Sequence, residues 1–252
     1  MAVLYFAAFY FREVPADDVE KLNARLDRIR DRMARAAERA GRGPDSVRLL
    51  AVSKGFSASA VREASALGVR EFGESRVQEA DAKIPAVGPG PRWHLIGHLQ
   101  RNKAKRAIGL FEEIHSLDSE ELVAEVARRA AAESKCVVGY VEVNVSGDPK
   151  KHGVDLAGAF ALLERTRAES SIALAGLMTI GPLEGGAPAA RAAFRSLARL
   201  RGEAIAAGLL NAGAGLSMGM SDDFEIAIEE GSTMVRVGSA LFGPRGGGPA
   251  AA

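Results

Sequence analysis

Eight short apolar runs, each followed by a helical pattern, predict an α/β chain closed into a (β/α)8 TIM barrel with an extra N-terminal helix. Three observations carry that class. The runs read as buried strands and never pair up as hairpins would, the eight units fit within about 200 residues, and no linker or charge block divides them. A single barrel domain is therefore expected over residues 16–243. An open doubly wound sheet is the competing architecture, but its usual Gly-x-Gly-x-x-Gly turn after the first strand is replaced by Ser53-Lys54-Gly55-Phe56.

The elements follow in order. Residues 17–42 form a long amphipathic helix, with Val19, Leu22, Leu26, Ile29 and Met33 at a spacing that keeps one face buried. Residues 47–53, almost wholly apolar, make the first strand. The others are expected at 71–73, 93–97, 113–116, 137–145, 174–179, 215–218 and 234–238. Between and after them, helices are expected at 59–67, 75–84, 102–110, 119–133, 156–169, 188–207 and 222–230. Ser119, followed by Glu120 and Glu121, and Asp222, followed by Glu225, read as N-caps. Trp93 is expected in the barrel wall.

Composition narrows the partners. The 252 residues carry 33 basic and 32 acidic side chains, a formal charge of +1 without long runs of one sign, which argues against a nucleic-acid or acidic-membrane partner. A single cysteine, Cys136, excludes an intramolecular disulfide and fits a reducing, cytoplasmic setting. The apolar stretch 1–11 has no basic residue before it and is too short to span a bilayer, so residues 1–15 read as an extension, either an extra strand or disordered. Residues 244–252, rich in glycine, proline and alanine, read as a disordered tail.

In a barrel, chemistry gathers at the C-terminal ends of the strands. Lys54 stands at the end of the first one, where apolar neighbours can desolvate its amine and make it a nucleophile toward an aldehyde. The loops after the last two strands, Ser217-Met218-Gly219-Met220-Ser221 and Gly238-Ser239-Ala240, are small and hydroxyl-bearing, as a phosphate site requires. Arg236 shares a strand face with Gly238. If that face points inward, its guanidinium needs an acceptor: an aromatic nitrogen, or a neighbouring-strand carboxylate such as Glu74. The histidines argue against a metal centre, because His94 and His98 straddle a strand and its loop while His115 and His152 stand isolated.

Six segments, in order, resemble a known family: Leu50-Ala51-Val52-Ser53-Lys54; residues 72–79, from Phe72-Gly73-Glu74-Ser75 on; residues 93–103, from Trp93-His94-Leu95-Ile96-Gly97-His98 on; Gly176-Leu177-Met178-Thr179; residues 216–221; and residues 235–243. Over residues 17–243 the chain looks like the pyridoxal phosphate homeostasis proteins, single-domain relatives of the alanine racemase N-terminal barrel. The resemblance implies a fold-type III barrel that carries pyridoxal 5′-phosphate (PLP) as an aldimine on Lys54. It also implies that Ser217, Gly238 and Ser239 hold the phosphate, that Arg236 faces the pyridine nitrogen, and that Ser75 and Met178 line the cofactor. Ser75 stands where the family usually has asparagine.

The implied function is cofactor homeostasis, with PLP held and delivered to apoenzymes that require it by a non-catalytic, monomeric protein. An arginine opposite the pyridine nitrogen leaves the ring a weaker electron sink. The racemases' opposing tyrosine comes from a second domain beyond the barrel, and none of Tyr5, Tyr10 and Tyr140 is expected in its place. A PLP-dependent amino-acid racemase or lyase is the alternative, and a sugar-phosphate barrel enzyme using Lys54 as a Schiff base is a third.

Overall fold

The computed structural model describes residues 16–182 and 184–244; the readings for residues 1–15 and for 245–252 lie outside them. Eight parallel strands close into a barrel in sequence order, β1 pairing with β8 through Leu50 opposite Arg236 and Ala51 opposite Val237. The strands are β1 (Arg48–Val52), β2 (Glu71–Glu74), β3 (Arg92–Leu95), β4 (Glu113–Leu117), β5 (Val137–Glu142), β6 (Ile172–Met178), β7 (Gly215–Ser217) and β8 (Met234–Val237). Helix α1 (Ala16–Arg39) precedes them. The crossovers contain α2 (Ala58–Ala66), α3 (Val77–Val87), α4 (Ala104–Leu110), α5 (Glu120–Ala132), α6 (Ala159–Arg167), α7 (Gly186–Ala206) and α8 (Phe224–Glu229). A short α9 (Ser239–Phe242) follows β8 within the segment read only as a loop.

Strand alternation separates two interiors. Ala51, Phe72, Trp93, Leu95, Ile114, Val141, Leu177, Leu216, Val235 and Val237 join the helices in one continuous apolar cluster around the barrel. Trp93 lies in this wall, its ring 5.7 Å from that of Phe72. Leu50, Tyr140, Met178 and Met234 are equally buried but stand outside that cluster, on the alternate strand positions that fill the barrel. The N-terminal end of the barrel is closed by charge: Arg48 bonds both oxygens of Glu71 and shares Glu113 Oε1 with Arg92.

Several boundaries differ from expectation for local reasons. Helix α3 runs past Ile84 to Val87 with Pro85 in its last turn and its ring exposed, and Gly88 closes it at φ +88°. β5 ends at Glu142, since Asn144 and Val154 turn the chain into a tight loop bridged at Val143 and Val154. β6 begins at Ile172, and α6 begins only at Ala159, after an exposed Leu156. The cap of α8 is Asp223, one residue after the expected Asp222; its carboxylate accepts from the Met220 N–H at 2.6 Å. Among the described residues no helix is long and apolar enough to cross a membrane.

Candidate functional site

Lys54 leaves β1 two residues past Val52 and is half-buried at the C-terminal mouth. The backbone on both sides of it is anchored to one buried network. The Ser53 carbonyl accepts from Lys83 Nζ at 2.7 Å, the Ser53 hydroxyl donates to Glu74 Oε1 at 2.7 Å, and the Gly55 N–H donates to Glu79 Oε1 at 2.6 Å. Lys83, on α3, closes the network with ion pairs to Glu74 at 2.6 Å and Glu79 at 2.7 Å. Glu74 therefore points outward to α3 and is not the carboxylate partner of Arg236. The reason is parity: Phe72 packs in the outer wall, so Glu74, two residues on, faces the same way.

Arg236 does point inward and is almost wholly buried. Its guanidinium donates to the Ser217 carbonyl at 2.6 Å, the Ser217 hydroxyl at 3.0 Å and the Thr179 carbonyl at 2.7 Å. Burial pushes its pKa down to about 10, with the charges of Glu142 and Asp223 opposing. It stays a cation at neutral pH. Met178 is sealed in the same layer, paired in register with Glu142 on one side and Ser217 on the other.

Ser217 itself is fully buried, and its hydroxyl also meets His115 Nδ1 at 2.9 Å. At the mouth the hydroxyl that meets Ser239 is instead that of Ser221: the two oxygens lie 3.2 Å apart, and the Ala240 N–H donates to Ser221 at 3.3 Å. The two hydroxyl loops thus come together as expected, but through a residue the sequence reading left unassigned. The signal was available in principle, because β7 is only three residues long, which leaves Ser217 in the wall and Ser221 on the loop. Gly219 permits that loop, with φ +95° and no room for a Cβ, which would lie 2.5 Å from that of Ala227.

Gly238 lies against β1, where an added Cβ would sit 3.2 Å from the Val52 carbonyl oxygen. Ser75, just after β2, lines a polar cavity of about 280 Å³ with Arg76, Gln78, His98 and Lys103. Its backbone lies so close to the next strand's loop that a Cβ on Gly97 would meet the Ser75 carbonyl oxygen at 2.3 Å.

Two further groups lie inside the barrel. Glu142, at the end of β5, is buried, and its Oε2 has no hydrogen-bond partner among the described residues. Burial, then the nearby Asp118 charge, raises its carboxyl to about 7, with Arg236 opposing. The folded chain therefore keeps a proton there that the unfolded chain releases near pH 4.5, and this contribution to stability is lost as pH rises from about 4.5 through 7. Glu142→Gln is expected to remove that slope, about 1.4 kcal/mol per pH unit at its steepest. Urea unfolding of both proteins from pH 4 to 8 checks it; parallel curves would exclude the assignment.

The histidines are not isolated. His94 Nδ1 and His115 Nε2 are 3.1 Å apart, and Glu113 Oε2 lies 3.4 and 3.6 Å from them. Tyr140 stacks on His115 with ring centroids 4.4 Å apart. At the rim His98 pairs with Asp118, and His152 stacks on His98.

The chain matches the family described as alanine racemase, N-terminal domain, over residues 24–246. It is 41% identical over 222 residues to the pyridoxal phosphate homeostasis protein of Aquifex aeolicus, covering 88% of this chain and 97% of that one. To the protein of the same name from Escherichia coli K12 it is 38% identical over 229 residues, covering 87% and 95%. Among solved structures, PipY of Synechococcus elongatus with PLP bound superposes at a TM-score of 0.77 and 37% identity, covering 88% of this chain and all of PipY. Alanine racemase of Corynebacterium glutamicum, at a TM-score of 0.62 and 17% identity, shares the fold over 86% of this chain and 60% of its own.

Proposed function

The chain belongs to the alanine racemase N-terminal domain family and, within it, to the pyridoxal phosphate homeostasis proteins, and we propose on that footing that it binds PLP and serves the cell's homeostasis of that cofactor. The observation that carries the reading is the convergence at one barrel mouth of a lysine amine, a buried inward guanidinium and two hydroxyl loops. PLP supplies an aldehyde, a pyridine nitrogen and a phosphate, and those three groups match the three partners.

In this reading Lys54 holds the cofactor covalently through its amine, and Arg236 donates to the ring nitrogen. Three of the five guanidinium donors are spent on Ser217 and Thr179, which fix its plane and leave donors for the ring. Ser239, the Gly238 backbone and Ser221 cradle the phosphate. Ser217 acts from beneath by holding Arg236, while Met178 and Ser75 border the ring. PLP would supply the aldehyde that the Lys54 amine captures with loss of water, and an electron-accepting ring.

The same residues favour holding and delivery over turnover. A guanidinium that remains charged at neutral pH cannot keep the pyridine nitrogen protonated, which weakens the ring as an electron sink. Tyr140, the only tyrosine among the described residues, is buried against His115 with its pKa pushed up to about 12 by burial, so it is no acid or base at the mouth. The relatives are also named as homeostasis proteins and not as enzymes. Delivery to apoenzymes that require PLP, by a cytoplasmic monomer, completes the reading; Leu156 is the only large apolar side chain exposed among the described residues.

One observation favours a racemase or lyase instead. Glu142 is a buried carboxyl at the mouth whose pKa of about 7 suits proton transfer. Spectra separate the readings. Adding PLP to the cofactor-free protein is expected to produce a borohydride-reducible adduct, lost in Lys54→Ala while noncovalent phosphate-anchored binding persists. An undiminished adduct in that variant refutes the role of Lys54, and sustained α-proton exchange with an amino-acid panel refutes the carrier reading.

A further inference from the structure

We propose that His98, Asp118 and His152 form a binding site for a divalent transition-metal cation at the rim of the barrel mouth. The three residues come from the loops after β3, β4 and β5, on the face where Lys54 also emerges. His98 Nδ1 lies 2.9 Å from Asp118 Oδ2, the imidazoles of His98 and His152 are parallel within 9° at 3.8 Å, and one ligating atom from each residue lies within 4.8 Å of the others. Two imidazoles and one carboxylate are the donor set of zinc-type cations and not of magnesium or calcium, which take all-oxygen shells.

The loop bearing His152 is built to hold it there. Its base is tied by Asn144 N–H to the Val154 carbonyl at 2.8 Å and by Val154 N–H to the Glu142 carbonyl at 2.9 Å. On one side of His152, Lys151 Nζ donates to the Gly181 carbonyl at 2.7 Å. On the other, Gly153 takes φ +105°, where a Cβ would lie 2.7 Å from the Asn144 nitrogen. Asp118 is oriented as well: its Oδ1 accepts from the Ser119 hydroxyl at 3.1 Å, which leaves Oδ2 toward His98.

Metal–ligand bonds of about 2.1 Å require neighbouring ligand atoms about 3.4 Å apart in a tetrahedral site. Reaching that requires the two exposed imidazoles to turn out of their present stack, since the in-plane lone pairs of parallel rings do not meet at one point. The fourth position opens to the mouth and takes water. The buried set of His94, Glu113 and His115 has tighter spacing, but all three residues are sealed in the barrel and Glu113 is already engaged by Arg48 and Arg92, so a hydrated cation has no path to it.

The test uses the untagged full chain without cofactor, so it does not depend on the PLP reading. Titration with Co²⁺ is expected to give one saturable equivalent with visible d–d absorption, displaced by Zn²⁺. His152→Ala and Asp118→Asn should each weaken binding at least tenfold while leaving the circular dichroism unchanged. Absence of a saturable band, or an unchanged titration in His152→Ala, would overturn the proposal.

Discussion

Lys83→Met is expected to lower folding stability by about 3–5 kcal/mol, the range for removing one partner of a buried ion pair. The Lys83 side chain is wholly buried, and its ammonium makes bonds of 2.6–2.7 Å to Glu74, Glu79 and the Ser53 carbonyl. Methionine fills most of the space of the lysine stem but is one heavy atom shorter and donates nothing. Glu74 would then be left in the interior with the Ser53 hydroxyl alone; burial already raises its pKa, and Lys83 is the main influence opposing that rise. The carboxyl would take up a proton in the folded state.

The damage should also reach Lys54, since the Ser53 carbonyl keeps only the Phe56 N–H at 3.0 Å and Glu79, which holds the Gly55 N–H, loses its ion-pair partner. Slower covalent capture of PLP should accompany the lost stability. Urea unfolding measures the first effect and stopped-flow absorbance the second. Lys83→Met combined with Glu74→Leu should recover most of the stability, because the stranded carboxylate is gone. A single variant within about 1 kcal/mol of the parent would contradict this account of the network.

The barrel was legible because strands buried on both faces read as continuous apolar runs, and the spacing of those runs leaves room for little but one crossover helix each. The positions of Lys54, Arg236 and the two hydroxyl loops were legible for a related reason: each sits at a strand end or on a countable strand face. What stayed hidden depended on contact across strands. Glu74 was offered to Arg236 although its partner, Lys83, lies nine residues along on the next helix. The pairs His94–His115 and His98–His152 join residues 21 and 54 positions apart, and only the side-by-side packing of successive strands and their loops brings them together. That the Ser221 hydroxyl and not the Ser217 hydroxyl meets Ser239 could not be read from the sequence, because it turned on where a three-residue strand ends.

That hidden histidine pair sets the second large effect, acid unfolding. Burial, and then its neighbour's charge, depresses His94 to about 3, and burial lowers His115 as well. Both histidines pick up protons readily when the chain unfolds and resist them when it is folded. Their contribution to stability is therefore complete above the unfolded value near 6.5 and is lost as pH falls toward about 3. Glu113 acts in the same direction: burial works against its charge, but His115, His94 and Arg48 hold it down to about 2, so its share fades below about 4.5. Glu142 and Glu74, with raised values, oppose the trend and soften it.

The expected loss on acidification is on the order of a few kcal/mol from His94 alone. His94→Asn isolates it, since an amide near the Nδ1 position can still meet His115 but does not titrate. Between pH 6 and 4 the variant's stability should fall less steeply than the parent's by about one proton's worth, roughly 1.4 kcal/mol per pH unit. Equal slopes in urea unfolding across that range would mean that the pair already shares a proton in the folded state, and that the barrel interior is less hostile to charge than its packing implies.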